Sequence, residues 1–448
     1  MVTHFGSLEL PKPIEKKSPA LIDLTAEGYR NADGSLCNFP VVEAIRSSIA
    51  MDVTLNHEYL PIRGLESFQD SVLRLILGNC SPAIINNNGI CSQTLGIKNS
   101  FRIAADFLKQ TDRLANTVLI PQQTDNSRRE IFEAAGFMNI KNYSFLTFFD
   151  NSQIFDMSAF SKATDDIPRG SILLLSPSSQ YPTGVPIDRA QWEEIATIVI
   201  SKRIFVIFDT PFLGFGTGDI AEDSWPIRYF AKLGLSFMVA VSFTENFGIH
   251  DDPCGALILV ADNTVNASNC ASQIESIISA SYTNPPQQGA RIVTTVLNND
   301  CYRREWNRIL CEVYDHAQAW RKKFYELTRM KGFTKSWKFI TDQEGLFIFT
   351  ALSAEEIDYI REEYSIAIRD DGAINISTIN DDNIHTIVGA LLKSSINFRS
   401  IYLPLLLLFF YCSFNLFFYF KNILTSNVQK FEIMENSHGF SFVIDLIY

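Results

Sequence analysis

Between Val118 and Ser242, short apolar runs alternate with longer stretches whose apolar residues recur every three or four positions. The runs are Val118–Ile120, Ile172–Leu175, Ile204–Phe208 and Phe237–Ser242. The helix-like stretches are one ending near Ala135, Arg189–Ser201 (RAQWEEIATIVIS) and one around Trp225–Leu233. A strand that is apolar throughout is buried on both faces. Its alternation with amphipathic helices therefore predicts a parallel sheet covered on both sides. In such sheets ligands gather beyond the carboxyl ends of the strands. Asp209 and Ser242 stand there, which marks both as candidate site residues. The plainer reading of each is a capping or turn residue at a strand exit.

Past about Pro285 the pattern turns helical as far as Met330. Gly345–Leu352, Ile366–Ile368 and Ile374–Ile376 then read as strands, with helices at Ala354–Tyr364 and Asp381–Lys393. The expected fold is α/β: a large domain with a mixed, mostly parallel sheet covered by helices, plus a smaller α+β domain. No internal repeat or low-complexity linker occurs before residue 397.

A chain of 448 residues with 46% hydrophobic and 20% charged residues has ordinary globular composition. Its net charge of −12 argues against a nucleic-acid partner, since phosphate binding needs a basic face. The eight cysteines are scattered from Cys37 to Cys412, with no CxxC pair. They read as free thiols of a reducing compartment. The N-terminus has neither the apolar core of a secretory signal nor the arginines of a transit peptide.

Ile401–Phe420 (IYLPLLLLFFYCSFNLFFYF) carries no charge. It is long enough to cross a bilayer, which takes about 20 residues. It reads equally as a membrane tail anchor or as translated AT-rich non-coding sequence, and least well as a core helix. The flanking Arg399 and Lys421 leave its orientation open. Glu245, His250, Asp251 and Asp252 lie close together. Their spacing matches no metal motif, so a solvated acidic loop is the expectation.

Seven segments, in order, resemble the aspartate aminotransferases, class I pyridoxal-phosphate (PLP) enzymes of fold type I. They are Asn56–Gly64 (NHEYLPIRG), Ile131–Phe137 (IFEAAGF), Pro182–Gly184 (PTG), Phe208–Phe215 (FDTPFLGF), Trp225–Phe230 (WPIRYF), Ser242–Gly248 (SFTENFG) and Tyr282–Ile292 (YTNPPQQGARI). The likeness spans roughly residues 20 to 395. It implies residues 1–34 as arm and first part of a small domain, 35–310 as the large domain and 311–396 as the rest of the small domain. Residues 397–448 form the apolar tail. It also implies a cytoplasmic homodimer with composite active sites, although the arm between Pro11–Glu15 and Leu21–Leu24 is short.

The resemblance also implies a lysine that holds PLP as an imine and moves the α-proton. In SFTENFG that position is Glu245. Further family contacts fall on unsuited residues. The phosphate-gripping arginine matches Pro253, the α-carboxylate arginine Ala373, and the partner subunit's distal-carboxylate arginine Ser279. The residues that bond the phenolic oxygen match Phe212 and Tyr181. The stacking tryptophan falls at Thr124 or Asp125, the phosphate loop at Gly96, Ile97 and Lys98, and a substrate-side glycine at Glu27. Asp209, Ser242 and Tyr59 retain family-matched, vestigial cofactor contacts: ring nitrogen, phosphate, and the partner subunit's phosphate.

Each charged hydrogen bond lost is worth about 1.5–3 kcal/mol, and about 1.4 kcal/mol is tenfold in affinity. The expectation is therefore a pseudoenzyme that retains no catalytic residue and no cofactor, and that binds an unknown protein or ligand. Two readings compete with it. One is an active PLP-dependent aspartate/2-oxoglutarate transaminase with a relocated lysine such as Lys98. The other is a degenerate gene product without a selected role.

Overall fold

The computed structural model describes residues 22–31, 33–110, 116–149, 152–333 and 336–396. The short N-terminal arm and the apolar segment 401–420 lie outside the described residues. Among the described residues no helix is long and apolar enough to cross a membrane.

Seven strands form the central sheet: β1 (Gly89–Thr94), β2 (Thr117–Pro121), β3 (Asn139–Tyr143), β4 (Ile172–Leu175), β5 (Phe205–Thr210), β6 (Phe237–Ser242) and β7 (Gly255–Val260). Their order is β1-β7-β6-β5-β4-β2-β3. β7 runs antiparallel to both its neighbours, and the pairs from β6 to β3 are parallel. The alternation of side chains along each strand divides the apolar residues between two cores. Val118, Ile120, Ile172, Leu174, Ile207, Met238 and Ala240 pack to one side. The covering residues there include Phe101, Phe132 and Ile274, on helices α1 (Ile97–Lys109), α2 (Ser127–Ala134) and α3 (Thr264–Ser281). Leu119, Leu173, Val206, Phe208, Val239 and Val241 pack to the other side, under Trp192, Phe230 and Val293.

A third core gathers Leu24, Phe324, Trp337, Ile348, Ile360, Ile374 and Leu391. Ile22–Asp23 pairs in parallel with Ile366–Ala367, so the start of the described chain sits in register against its last third. The 31-residue helix Asp300–Met330 contributes to the first and third cores. Its start is fixed by Asn299, whose side chain accepts from the Cys301 and Tyr302 amides, orphan donors at any helix N-terminus.

The sequence pattern missed β1, β3 and β7 and, among the helices over the sheet, α1 and α3. β1 reads GICSQT, with polar Ser92, Gln93 and Thr94 all buried. Two of them are satisfied by groups outside the strand: Gln93 Nε2 donates to the Pro286 carbonyl at 2.6 Å, and Thr94 and Ser100 share a 2.6 Å hydrogen bond. The helix predicted from Asp381 begins at 384 instead. Asn380 accepts from the Asp382 and Asn383 amides, and this local turn competes with helix in the residues before it.

Candidate functional site

The carboxyl ends of β5 and β6 open into a cleft of about 250 Å³. Asp209, next to last in β5, forms part of its floor and is 7% exposed. Its carboxylate is already engaged. Arg128 Nε donates to one oxygen at 2.8 Å and Nη2 to the other at 3.1 Å. Arg128 belongs to the first turn of α2, where the four-residue helical spacing to Phe132 turns both side chains inward. The guanidinium also lies 4.5 Å from the Phe101 ring centroid and 3.7 Å from Asp125. Burial by itself would lower the pKa of Arg128, but the paired Asp209 together with Asp125 and Glu245 holds it above its usual range.

Ser242 ends β6, and its hydroxyl is committed twice. It donates to Glu245 Oε2 at 2.5 Å and accepts from the Thr244 amide at 3.2 Å. Glu245 stands in the single helical turn Thr244–Phe247 that follows. Gly248 closes this turn at φ +67, a left-handed conformation that suits glycine. Desolvation pushes the Glu245 pKa up to about 7; the Ser242 hydroxyl and Arg128 pull it down, and Glu27 pushes it further up. The expectation of a solvated acidic loop is therefore corrected: Glu245 belongs to the cleft wall. Of that group of four, Asp251 is the open surface carboxylate, bound by Arg46 at 2.8 and 3.0 Å. Among the described residues no group of His, Cys, Asp and Glu is arranged to hold a metal ion.

The opposite wall is aromatic. Tyr181, Phe212 and Phe347 pack with ring centroids 5.0–6.2 Å apart. The Tyr181 hydroxyl donates to Asp371 at 2.6 Å, and the Arg369 guanidinium sits 5.3 Å from the Tyr181 ring. Glu27, Gly96, Ile97, Lys98, Thr124, Asp125 and Pro253 also line the cleft. Of the other residues singled out by sequence, Ala373 is buried in a strand, paired with Phe349. Tyr59 is 82% exposed and is not brought to the cleft by its own chain. Arg128 and Arg369 were missed. The spacing to Phe132 could have exposed Arg128; Arg369 follows a strand-like run with no comparable signal. Both leave the cleft with more positive charge than a count of lost family arginines suggests.

The strand order and the cleft at the β5 and β6 termini define a PLP fold type I protein. The chain superposes on the aromatic-amino-acid aminotransferase from Burkholderia pseudomallei covalently bound to pyridoxal phosphate. The TM-score is 0.81 at 27% identity, covering 88% of this chain and 100% of that one. The family model for aminotransferase class I and II matches residues 19–391. Cytoplasmic aspartate aminotransferase from Caenorhabditis elegans is 31% identical over 378 residues, 84% of this chain and 92% of that protein. The Gallus gallus cytoplasmic enzyme is 31% identical over 367 residues, 81% of this chain and 89% of that protein. This chain therefore belongs to the class I and II aminotransferase family.

Three positions that would meet the coenzyme of that family are altered or already engaged. A ring nitrogen would meet an Asp209 whose charge Arg128 already neutralises. A phosphate would meet a Ser242 hydroxyl turned onto Glu245. Phe212 offers a phenolic oxygen no donor.

Proposed function

We propose that this family member does not transaminate and holds no PLP, and that it acts by binding a protein or a ligand through the aminotransferase fold. The observation that carries the reading is Glu245, a carboxylate in the cleft wall hydrogen-bonded by Ser242, at the position where the resemblance calls for lysine. A carboxylate cannot form an imine. Near neutral pH it is either a proton donor or an anion, and neither attracts a phosphorylated aldehyde.

The assembly proposed is a homodimer. Met51, Val53 and Tyr59 are 83%, 96% and 82% exposed within nine residues, an apolar strip suited to burial against a second copy. The proposed location is the cytoplasm, in line with the names of the C. elegans and G. gallus relatives.

The test is to titrate the full chain with PLP by absorption, reduce with borohydride, and assay aspartate:2-oxoglutarate transamination. No saturable band, no fixed adduct and no turnover support the proposal. A band fixed on one lysine overturns it. Lys98, which lines the same cleft, would then be the first position to inspect, and the chain would be an aspartate/2-oxoglutarate transaminase with a rebuilt site.

A further inference from the structure

We infer that Arg128 is a built-in counter-ion that bars a cationic ring from the cleft floor, so that restoring a lysine at position 245 does not by itself rebuild a coenzyme site. This deepens the non-catalytic reading of the cleft and rests on it.

A carboxylate as enclosed as Asp209 needs a positive partner. A protonated ring nitrogen of a ligand is one possible source, and a side chain of the protein is another. Here the side chain has both carboxylate oxygens, at 2.8 and 3.1 Å. A pyridinium brought to Asp209 would approach an ion pair instead of an anion, and it would face the Arg128 charge across the same carboxylate. The Coulomb gain that favours a protonated ring is therefore largely cancelled.

Arg128 is also held in place. Phe101 lies 4.5 Å from its guanidinium, Ser127 Oγ accepts from Nη1 at 3.2 Å, and Asp125 is 3.7 Å away. Swinging it out would leave three sets of contacts unmade. The Ser242–Glu245 hydrogen bond is different in kind. Replacing Glu245 removes it and frees the hydroxyl, whereas the Arg128–Asp209 pair involves no atom of residue 245. The floor thus selects for neutral or anionic ligand groups and against cationic rings, and the residue that sets this selectivity is Arg128.

The experiment compares two full-length chains. The first is E245K/P253R, which supplies an amine and a phosphate-side cation. The second is the same chain with R128Q added. Each is titrated with PLP by absorption and fluorescence, reduced with borohydride and mapped by peptide mass spectrometry. The chain with R128Q should bind PLP at least tenfold tighter, with an adduct at position 245. Equal binding by the two chains, or binding by neither, overturns the inference. If the glutamine variant does not fold, R128N offers a smaller neutral donor toward Asp209, and the same comparison applies. Wild-type binding of PLP would instead overturn the reading under Proposed function, so the two failures are separable.

Discussion

The Arg128–Asp209 pair makes a quantitative prediction about stability. The two side chains are 4% and 10% exposed, and the pairing is bidentate. Removing one partner of a buried ion pair costs about 3–5 kcal/mol, because a buried charge is left unmatched. Replacing both by apolar groups of similar size is often close to neutral. R128M should sit near the low end, about 3 kcal/mol, because the cleft side of Asp209 can be reached by water. D209L should cost less than R128M, because Asp125 at 3.7 Å remains to compensate Arg128. The double variant R128M/D209L should be no less stable than R128M alone, which gives a coupling energy of about 2–3 kcal/mol. The assay is urea unfolding of the four proteins, followed by tryptophan fluorescence and far-ultraviolet circular dichroism. Additive losses, or single losses under about 1 kcal/mol, would refute the claim that the pair is an enclosed, mutually dependent unit.

Glu245 should leave a signature in the pH dependence of stability. Its folded pKa is raised to about 7, so the folded state binds the extra proton and stability falls as pH rises from about 4.5 through 7. E245Q should be no more stable than wild type near pH 5 and more stable at pH 8; a difference independent of pH would count against the buried acid. Gly184 has φ +59, and a Cβ there would lie 2.5 Å from the Glu344 carbonyl oxygen. G184A should therefore lose at least about 2 kcal/mol, from left-handed strain plus the clash, in the same unfolding assay. Cys91 and Cys254 are buried, and desolvation pushes the Cys91 thiol up to about 12 and the Cys254 thiol well above its usual value. Both should resist iodoacetamide in the native protein while the exposed Cys80 and Cys301 react; labelling of Cys91 before unfolding would contradict the packing.

What the sequence determined by itself is the scaffold of the parallel half-sheet and the order of the residues around the cleft. Runs such as Ile172–Leu175 and Phe237–Ser242 have nowhere to go but a doubly covered sheet, and segments such as SFTENFG carry their family likeness in local order. The local pattern could not yield β1, whose Gln93 and Thr94 are satisfied in the strand only when Pro286 and Ser100 arrive. Nor could it yield the partners of the site. The spacing to Phe132 hints that Arg128 faces inward, but its partner Asp209 lies 81 positions away. Only the tertiary structure brings them within hydrogen-bond range, turns Ser242 onto Glu245, and lowers the local dielectric enough for those contacts to govern what the cleft can hold. The reason is physical: a side chain's charge state and partners depend on what surrounds it in space, and sequence spacing constrains only its near neighbours along the chain.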